Sequence, residues 1–275
     1  MTSENWPKGF IIGKLLILSL LSTIFVTGCG EHMGVDSSAI LKLLTYNIHH
    51  GANGGDIFNL DATVETIRRS GADIVALQEV DRVWGERSSY CDEARYIAQK
   101  LAMNYAFGAT LKKDLSPPGA GEFGIMILSK YKIMDRVFHL LPGALEQRGI
   151  LLCLIHTPAG LIPVACTHLG LSVSDRESQI AEILTLLPES ENVILLGDFN
   201  TGPEAGELKP LLSRFVDLQD AYGLGGEGTF FYQGNWVRID YIFAAIRWRP
   251  NDCRVLPDQS SDHLPVYVEA KPTCQ

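Results

Sequence analysis

The chain has 275 residues, 46% of them hydrophobic and 20% charged, with a net charge of −9, a balance that excludes disorder for most of its length. Twenty-six glycines without a triplet period exclude a collagen-like chain, and six cysteines are too few for a disulfide framework of this size. The first 28 residues hold Glu4, Lys8 and Lys14 and contribute +1, so the remainder carries −10, which argues against a general polyanion binder.

The amino terminus reads as an address. Lys8 and Lys14 precede the apolar run 15–26, and Thr27-Gly28-Cys29 follows, the order of a secretory signal. The apolar part is short beside the roughly 20 residues of a membrane span, so an uncleaved anchor is the weaker alternative. The ending VTGC resembles the lipobox of bacterial lipoproteins. That resemblance implies a signal peptide over 1–28, lipidation of Cys29, and a membrane-anchored protein facing the periplasm or the cell exterior. Residues 29–39 are then the lipidated Cys and a polar tether, and 40–271 one domain.

Residues 40–48 (ILKLLTYNI) are an apolar, β-branched run expected to form a buried strand. Leu60, Val64 and Ile67 fall at helical spacing, with Gly71 as the stop. Residues 73–80 give a second buried strand ending in Gln78-Glu79. Further strands are expected over 105–111, 123–133 and 149–156, with the Pro/Gly-rich loop 112–122 as a surface connection. After a strand over 161–169, Ser174 and Glu177 spell a capping box for a helix carrying Ile180, Ile183, Leu184 and Leu187, stopped by Pro188. Residues 192–200 form a strand ending in Asp198 and Asn200, and 237–244, 246–249 and 263–270 complete the strands. The strand–helix–strand theme occurs twice at similar offsets, 32 residues from Asn47 to Glu79 and 30 from His168 to Asp198. It predicts two similar halves packed as one α/β domain, each delivering polar residues from strand ends to a shared site.

Beyond Cys29, five cysteines remain, Cys91, Cys153, Cys166, Cys253 and Cys274, and an odd number leaves at least one thiol unpaired. A hairpin centred near Ala159 sets Cys153 and Cys166 opposite each other, as buried apolar thiols in preference to a cross-strand disulfide. None of the five has the paired spacing of a zinc site.

Asn47, Glu79, His168, Asp198, Asn200, Asp240, Asp262 and His263 all stand in or beside apolar strand runs. Singly, each is explained as a turn or strand cap. Together, carboxylates and imidazoles bordering one core are heavily destabilising unless a cation or ordered partners neutralise them. An oxygen-rich, Cys-free set suits Mg²⁺, with Mn²⁺ or Ca²⁺ as substitutes, over zinc.

Six motifs, TYNIHHG (45–51), LQEV (77–80), THLG (167–170), GDFN (197–200), RIDYIF (238–243) and SDHLPV (261–266), occur in the order seen in the endonuclease/exonuclease/phosphatase superfamily, which the chain resembles from about Leu41 to Val268. The resemblance implies a DNase I-like α/β fold, a four-layered α/β sandwich of two packed mixed β-sheets with outer helices. It also implies a Mg²⁺-dependent phosphoric ester hydrolase of the phosphodiesterase or nuclease type. By the same resemblance Glu79 is the principal metal carboxylate, with Asn47 beside it and Asp262 completing the metal site. His263 stands next to the scissile phosphate and is oriented by Asp240. Asp198 positions or deprotonates the attacking water, Asn200 holds a phosphate oxygen, and His168 is a second phosphate-contacting imidazole. The spelling leaves the base open between Asp198 and His263.

Two departures stand out. Ile125 occupies the EFGIM motif (122–126) where several family members carry Asn, and His49 stands where some nuclease branches are acidic. His49 and His50 either line the site or cap the strand. The spelling is most similar to a bacterial branch related to GPI-anchor- and lipid-remodelling homologues. Arg247-Trp248-Arg249 and Lys112-Lys113 are the nearest approach to a basic, aromatic stripe, and read as a half-exposed strand and a solvated loop. The expected substrate is therefore a small or membrane-presented phosphodiester, a lipid headgroup or inositol phosphate. Extracellular DNA or RNA is the alternative, and a non-catalytic phosphate-ligand-binding lipoprotein the rival of another class. Besides the substrate, the membrane reached through Cys29 is the one partner implied, and no protein partner is.

Overall fold

The computed structural model describes residues 39–115 and 119–273. The expected signal peptide, Cys29, the expected tether up to residue 38 and Cys274 lie outside them. In chain order the strands are β1 (Leu41–Asn47), β2 (Ile74–Arg82), β3 (Asn104–Leu115), β4 (Gly119–Ser129), β5 (Lys132–Leu140), β6 (Gly149–Thr157) and β7 (Gly160–His168). Then follow β8 (Ile194–Asp198), β9 (Phe215–Asp217), β10 (Phe230–Tyr232), β11 (Asn235–Val237), β12 (Asp240–Ala245), β13 (Trp248–Val255) and β14 (Val266–Pro272). The main helices are α1 (Leu60–Ser70), α2 (Glu93–Leu101) and α3 (Val173–Leu186).

One six-stranded sheet runs β13-β14-β1-β2-β4-β3 and the other β5-β6-β7-β8-β12-β9. Each contains one parallel pair, β1/β2 in the first and β7/β8 in the second, with antiparallel neighbours elsewhere. This is the doubled strand–helix–strand theme expected from sequence. The halves are not sequential, however, since β13 and β14 return to the first sheet.

Strands buried on both faces read as continuous apolar runs whose alternate residues serve two different cores. Leu41 and Leu43 of β1 meet Val164 and Cys166 of β7, Ile194 and Leu196 of β8, and Ile242 and Ala244 of β12 between the sheets. Leu44 and Tyr46 point the other way, under α1 and α2, with Val64, Ile67 and Ile97. Leu195 and Phe243 face Ile180 and Ile183 of α3. Three cores separate four layers, the DNase I-like α/β sandwich.

Local chemistry sets the helix ends. The Asn59 side chain accepts from Ala62 N–H at the start of α1, and Gly71 closes it at φ 68°. The capping residue of α3 is Ser172, accepting from Asp175 N–H, and not Ser174. Ser172 and Asp175 keep the same three-residue spacing, so the helix starts two residues earlier than Ser174 and Glu177 suggest.

Four other expectations are corrected, the first being the loop over 112–122: Lys112 and Lys113 belong to the end of β3 and pair with Glu122 and Gly121 of β4. The run 123–133 is not one strand: β4 ends at Ser129 and β5 begins at Lys132 in the opposite sheet. Cys153 pairs with Val164 and Cys166 with Leu151, so the β6–β7 register is two residues off the one that would set the thiols opposite each other. Both are buried free thiols, as are Cys253 and the half-buried Cys91. Ile125, at the family's Asn position, is buried between the sheets and takes no part in the site. The strand expected over 246–249 begins only at Trp248, because Ile246 and Arg247 form the turn after β12; Trp248 is fully buried and its Nε1 donates to Asn192 O, so Arg247-Trp248-Arg249 offers no basic, aromatic stripe.

Candidate active site

Strand parity aims the polar residues. Counting by twos from Leu43 along β1 reaches Asn47, and from Cys166, Leu196 and Ile242 reaches His168, Asp198 and Asp240. All four stand at one end of the seam between the sheets. In both parallel pairs the registers correspond: Asn47 lies beside Gln78 and His168 beside Asp198. Glu79 is the exception. Parity would send it outward with Leu77, but one extra residue in β2 between Leu77 and Val80 bulges the strand and puts Glu79 at φ 58°. Such a bulge re-aims a side chain, and this one brings the carboxylate back to Asn47.

Asn47 Nδ2 donates to Glu79 Oε1 and to Asp198 Oδ2, both at 3.0 Å, while its Oδ1 accepts from His49 N–H. One amide thus joins the two sheets. Behind it, His263 Nδ1 is 2.9 Å from Asp240 Oδ2, and His263 Nε2 is 3.8 Å from Asp198 Oδ2. Phe230 lies against the His263 ring. Asp240 Oδ1 is buried without a hydrogen-bond partner. Asp262 stands further out, accepting from Ser261 Oγ and 3.9 Å from His49 Nδ1, with no hydrogen bond to Asn47 or Glu79.

The two imidazoles have opposite environments. Burial by itself lowers the affinity of His263 for its second proton, but the Asp240 and Asp198 carboxylates outweigh it and raise the pKa to about 10. His263 is an imidazolium at neutral pH. His168 is held well below the usual range by burial and by Arg148, whose Nη1 lies 3.0 Å from Nδ1. A guanidinium only donates, so Nδ1 accepts and a neutral ring carries its proton on Nε2, which faces both Asp198 Oδ2 at 3.4 Å and the Asn200 amide nitrogen at 3.1 Å. Asn200 Nδ2, fixed by donating to Leu169 O, completes that corner. Asp198 itself is pushed up to about 7 by burial and by Asp240, against the opposing pull of His263 and Asn47.

The family model described as Endonuclease/Exonuclease/phosphatase family matches residues 44–263, a span that contains every residue of this constellation. The chain belongs to the endonuclease/exonuclease/phosphatase family. "Uncharacterized protein YbhP" of Escherichia coli (strain K12) is 33% identical over 254 residues, 83% of this chain and 95% of that protein. Among solved structures, an endonuclease/exonuclease/phosphatase from Beutenbergia cavernae superposes with a TM-score of 0.72 at 22% identity, covering 85% of this chain and 72% of that one. The human Nocturnin catalytic domain with bound sulfate anion gives 0.68 at 18%, covering 85% and 94%.

Members of the endonuclease/exonuclease/phosphatase family hydrolyse phosphoester bonds, typically with a divalent metal. The donor set here fits such an ion. Its free groups are carboxylate oxygens, no thiol is near, and the clustered negative charge of Glu79, Asp198 and Asp240 exceeds that of the single imidazolium. Ligand atoms of Asp198, Asp240 and His263 lie within 4.8 Å of one another, and so do those of His49, His50 and Asp56 beside them. His50 Nε2 is taken by Asp56 Oδ1 at 3.1 Å, and His49 Nδ1 faces Asp262.

Sequence reasoning missed Arg148, Ser261 and Thr229. Ser261 Oγ donates to Asn47 O and accepts from His263 N–H, and Thr229 Oγ1 accepts from the Asp240 N–H. Arg148 immediately precedes the apolar run of β6, so it meets the same strand-end criterion that singled out the others.

Proposed function

We propose that the protein is a divalent-cation-dependent phosphodiesterase, exported, anchored through lipidated Cys29, and acting on small or membrane-presented phosphodiesters. The observation that carries the reading is Asp198. Its Oδ2 meets the Asn47 amide, the His168 Nε2–H and the imidazolium of His263, and its carboxyl is held where it can exchange a proton near neutral pH.

A divalent cation bound by Glu79 and Asn47, with Asp262 near, would neutralise charge on the phosphate oxygens. The chain's own residues do the rest. Asp198 takes a proton from a water molecule, whose oxygen attacks phosphorus. The His263 imidazolium, oriented by Asp240, donates to a phosphate oxygen, and His168 Nε2–H and Asn200 Nδ2 supply further donors. The bond to the leaving oxygen breaks, that oxygen takes up a proton from solvent, and Asp198 returns to solvent the proton it accepted. An imidazolium with a pKa near 10 is no base at pH 7, which favours Asp198 in that role.

Mg²⁺-dependent release of p-nitrophenol from bis-p-nitrophenyl phosphate, abolished by EDTA, tests the reaction. A panel of phosphatidylinositol, sphingomyelin, inositol phosphates, RNA and plasmid DNA separates the substrates. No turnover on any of them with any divalent cation, with ligand binding intact in His263→Ala, leaves the binding protein as the answer. Labelling by a fatty-acid probe that is lost in Cys29→Ser tests the anchor.

A further inference from the structure

β10 and β11 form a two-stranded ribbon outside both main sheets, through a turn in which Gln233 and Gly234 both have positive φ. No residue from Thr229 to Val237 is charged. Phe231 and Trp236 form a cross-strand pair with ring centroids 5.3 Å apart, and with Tyr232 they are each more than half exposed. Three large aromatic rings presented to solvent on an isolated ribbon are costly to leave uncovered.

The root of the ribbon is the catalytic end of the molecule. Phe230 packs its ring on His263 at 4.6 Å and bridges it through the backbone, and Thr229 O accepts from Leu264 N–H. Other loops at that end also expose apolar side chains. Ile57 follows Asn47 in the segment after β1, Leu171 lies three residues beyond His168, and Leu145 sits in the loop that leads to Arg148; each is about two-thirds exposed.

We propose that the β10–β11 ribbon, together with Ile57, Leu145 and Leu171, docks the active site onto an electrically neutral lipid bilayer. Tyr and Trp settle at the headgroup level of a bilayer, which is also the level of a lipid's phosphodiester. A ribbon rooted on His263 therefore sets the depth of the catalytic groups to that of the bond to be cut. A nucleic acid presents the same aromatic faces with bases, but it demands cations for its backbone, and the ribbon has none. The net charge of −9 likewise disfavours an anionic membrane.

The proposal rests on the phosphodiesterase reading with a membrane-presented substrate, and the test keeps the two apart. The full chain is mixed with phosphatidylcholine vesicles carrying brominated acyl chains, and its tryptophan emission is compared with that of Trp236→Phe. The expected result is a quenched, blue-shifted component that is absent from Trp236→Phe and insensitive to salt. In Phe231→Ser/Trp236→Ser, cleavage of vesicle-borne phosphodiester falls about tenfold, while turnover of soluble bis-p-nitrophenyl phosphate is unchanged. Identical quenching in the wild type and Trp236→Phe overturns the docking, as does quenching of Trp236 by a single-stranded oligonucleotide but not by vesicles. Insertion of Trp236 with no lipid phosphodiester cleaved upholds the docking and overturns the substrate assignment.

Discussion

Asp240 Oδ2 lies 2.9 Å from His263 Nδ1, and the pair is buried at the mouth of the seam between the two sheets. The carboxylate keeps the imidazole charged in a place where burial alone would strip its proton.

His263 has a folded pKa of about 10, above an unfolded value of about 6.5. Its pairing therefore stabilises the fold fully below about pH 6.5, and that contribution is lost as the pH rises through 10. Urea unfolding of the metal-free protein should show this alkaline decline. In Asp240→Asn the decline should flatten and kcat should fall by about 10²–10³-fold. An unaltered alkaline slope in that variant contradicts the assignment.

Arg148 fixes the tautomer of His168. In ¹⁵N spectra His168 should be neutral at pH 7 with its proton on Nε2. Arg148→Met should release a mixture of tautomers and lower kcat by about 10²-fold, with Arg148→Lys restoring part of both. Loss of activity with the Nε2–H tautomer intact would reduce Arg148 to a packing residue.

Glu79 is the one carboxylate placed by a bulge. Glu79→Ala should weaken Mn²⁺ binding, followed directly by electron paramagnetic resonance, by about 10–100-fold or more, and the Mg²⁺ dependence of turnover should shift in parallel. Unchanged Mn²⁺ affinity would remove Glu79 from the metal site.

Gly197, between Leu196 and the proposed base Asp198, has no room for a side chain: a Cβ there would lie 2.1 Å from Thr167 O on the neighbouring strand. Gly197→Ala should force β7 and β8 apart, cost about 2–4 kcal/mol in chemical unfolding, and abolish activity by displacing Asp198. Wild-type stability in that variant would mean the strands separate freely.

Much of the site was legible because parity is a local code. An apolar run ending in Asn47, His168 or Asp198 states both the strand and the face on which the polar residue emerges. The architecture was less legible where the signal depends on partners. Apolar residues continue on both sides of Ser129, so nothing in the spelling marks where β4 leaves one sheet and β5 enters the other. The bulge at Glu79 is a property of the β2–β4 pairing and has no signature within LQEV. Similarly, the offset of Cys153 from Cys166 follows from a two-residue turn at Pro158-Ala159, whose centre lies one residue before the midpoint of the two thiols. The β10–β11 ribbon escaped notice because an exposed aromatic strand breaks the alternation by which strands are recognised. Arg148 stands at the start of an apolar run as plainly as His168 stands at the end of one.

Asn47 touches a carboxylate from its own sheet, Glu79, and one from the other, Asp198. The geometry of the site is therefore a gauge of how firmly two sheets are clamped, with no disulfide among the described residues to span the gap. Interior damage far from the chemistry should register at that gauge: truncating Ile162 or Leu43, both fully buried in the shared core, lets one sheet slide on the other. A slip of about 1 Å is enough to lose some 10²-fold in rate. Under gentle warming, turnover should then fade while circular dichroism still reports intact ladders, so the protein would fail as a catalyst before it fails as a fold.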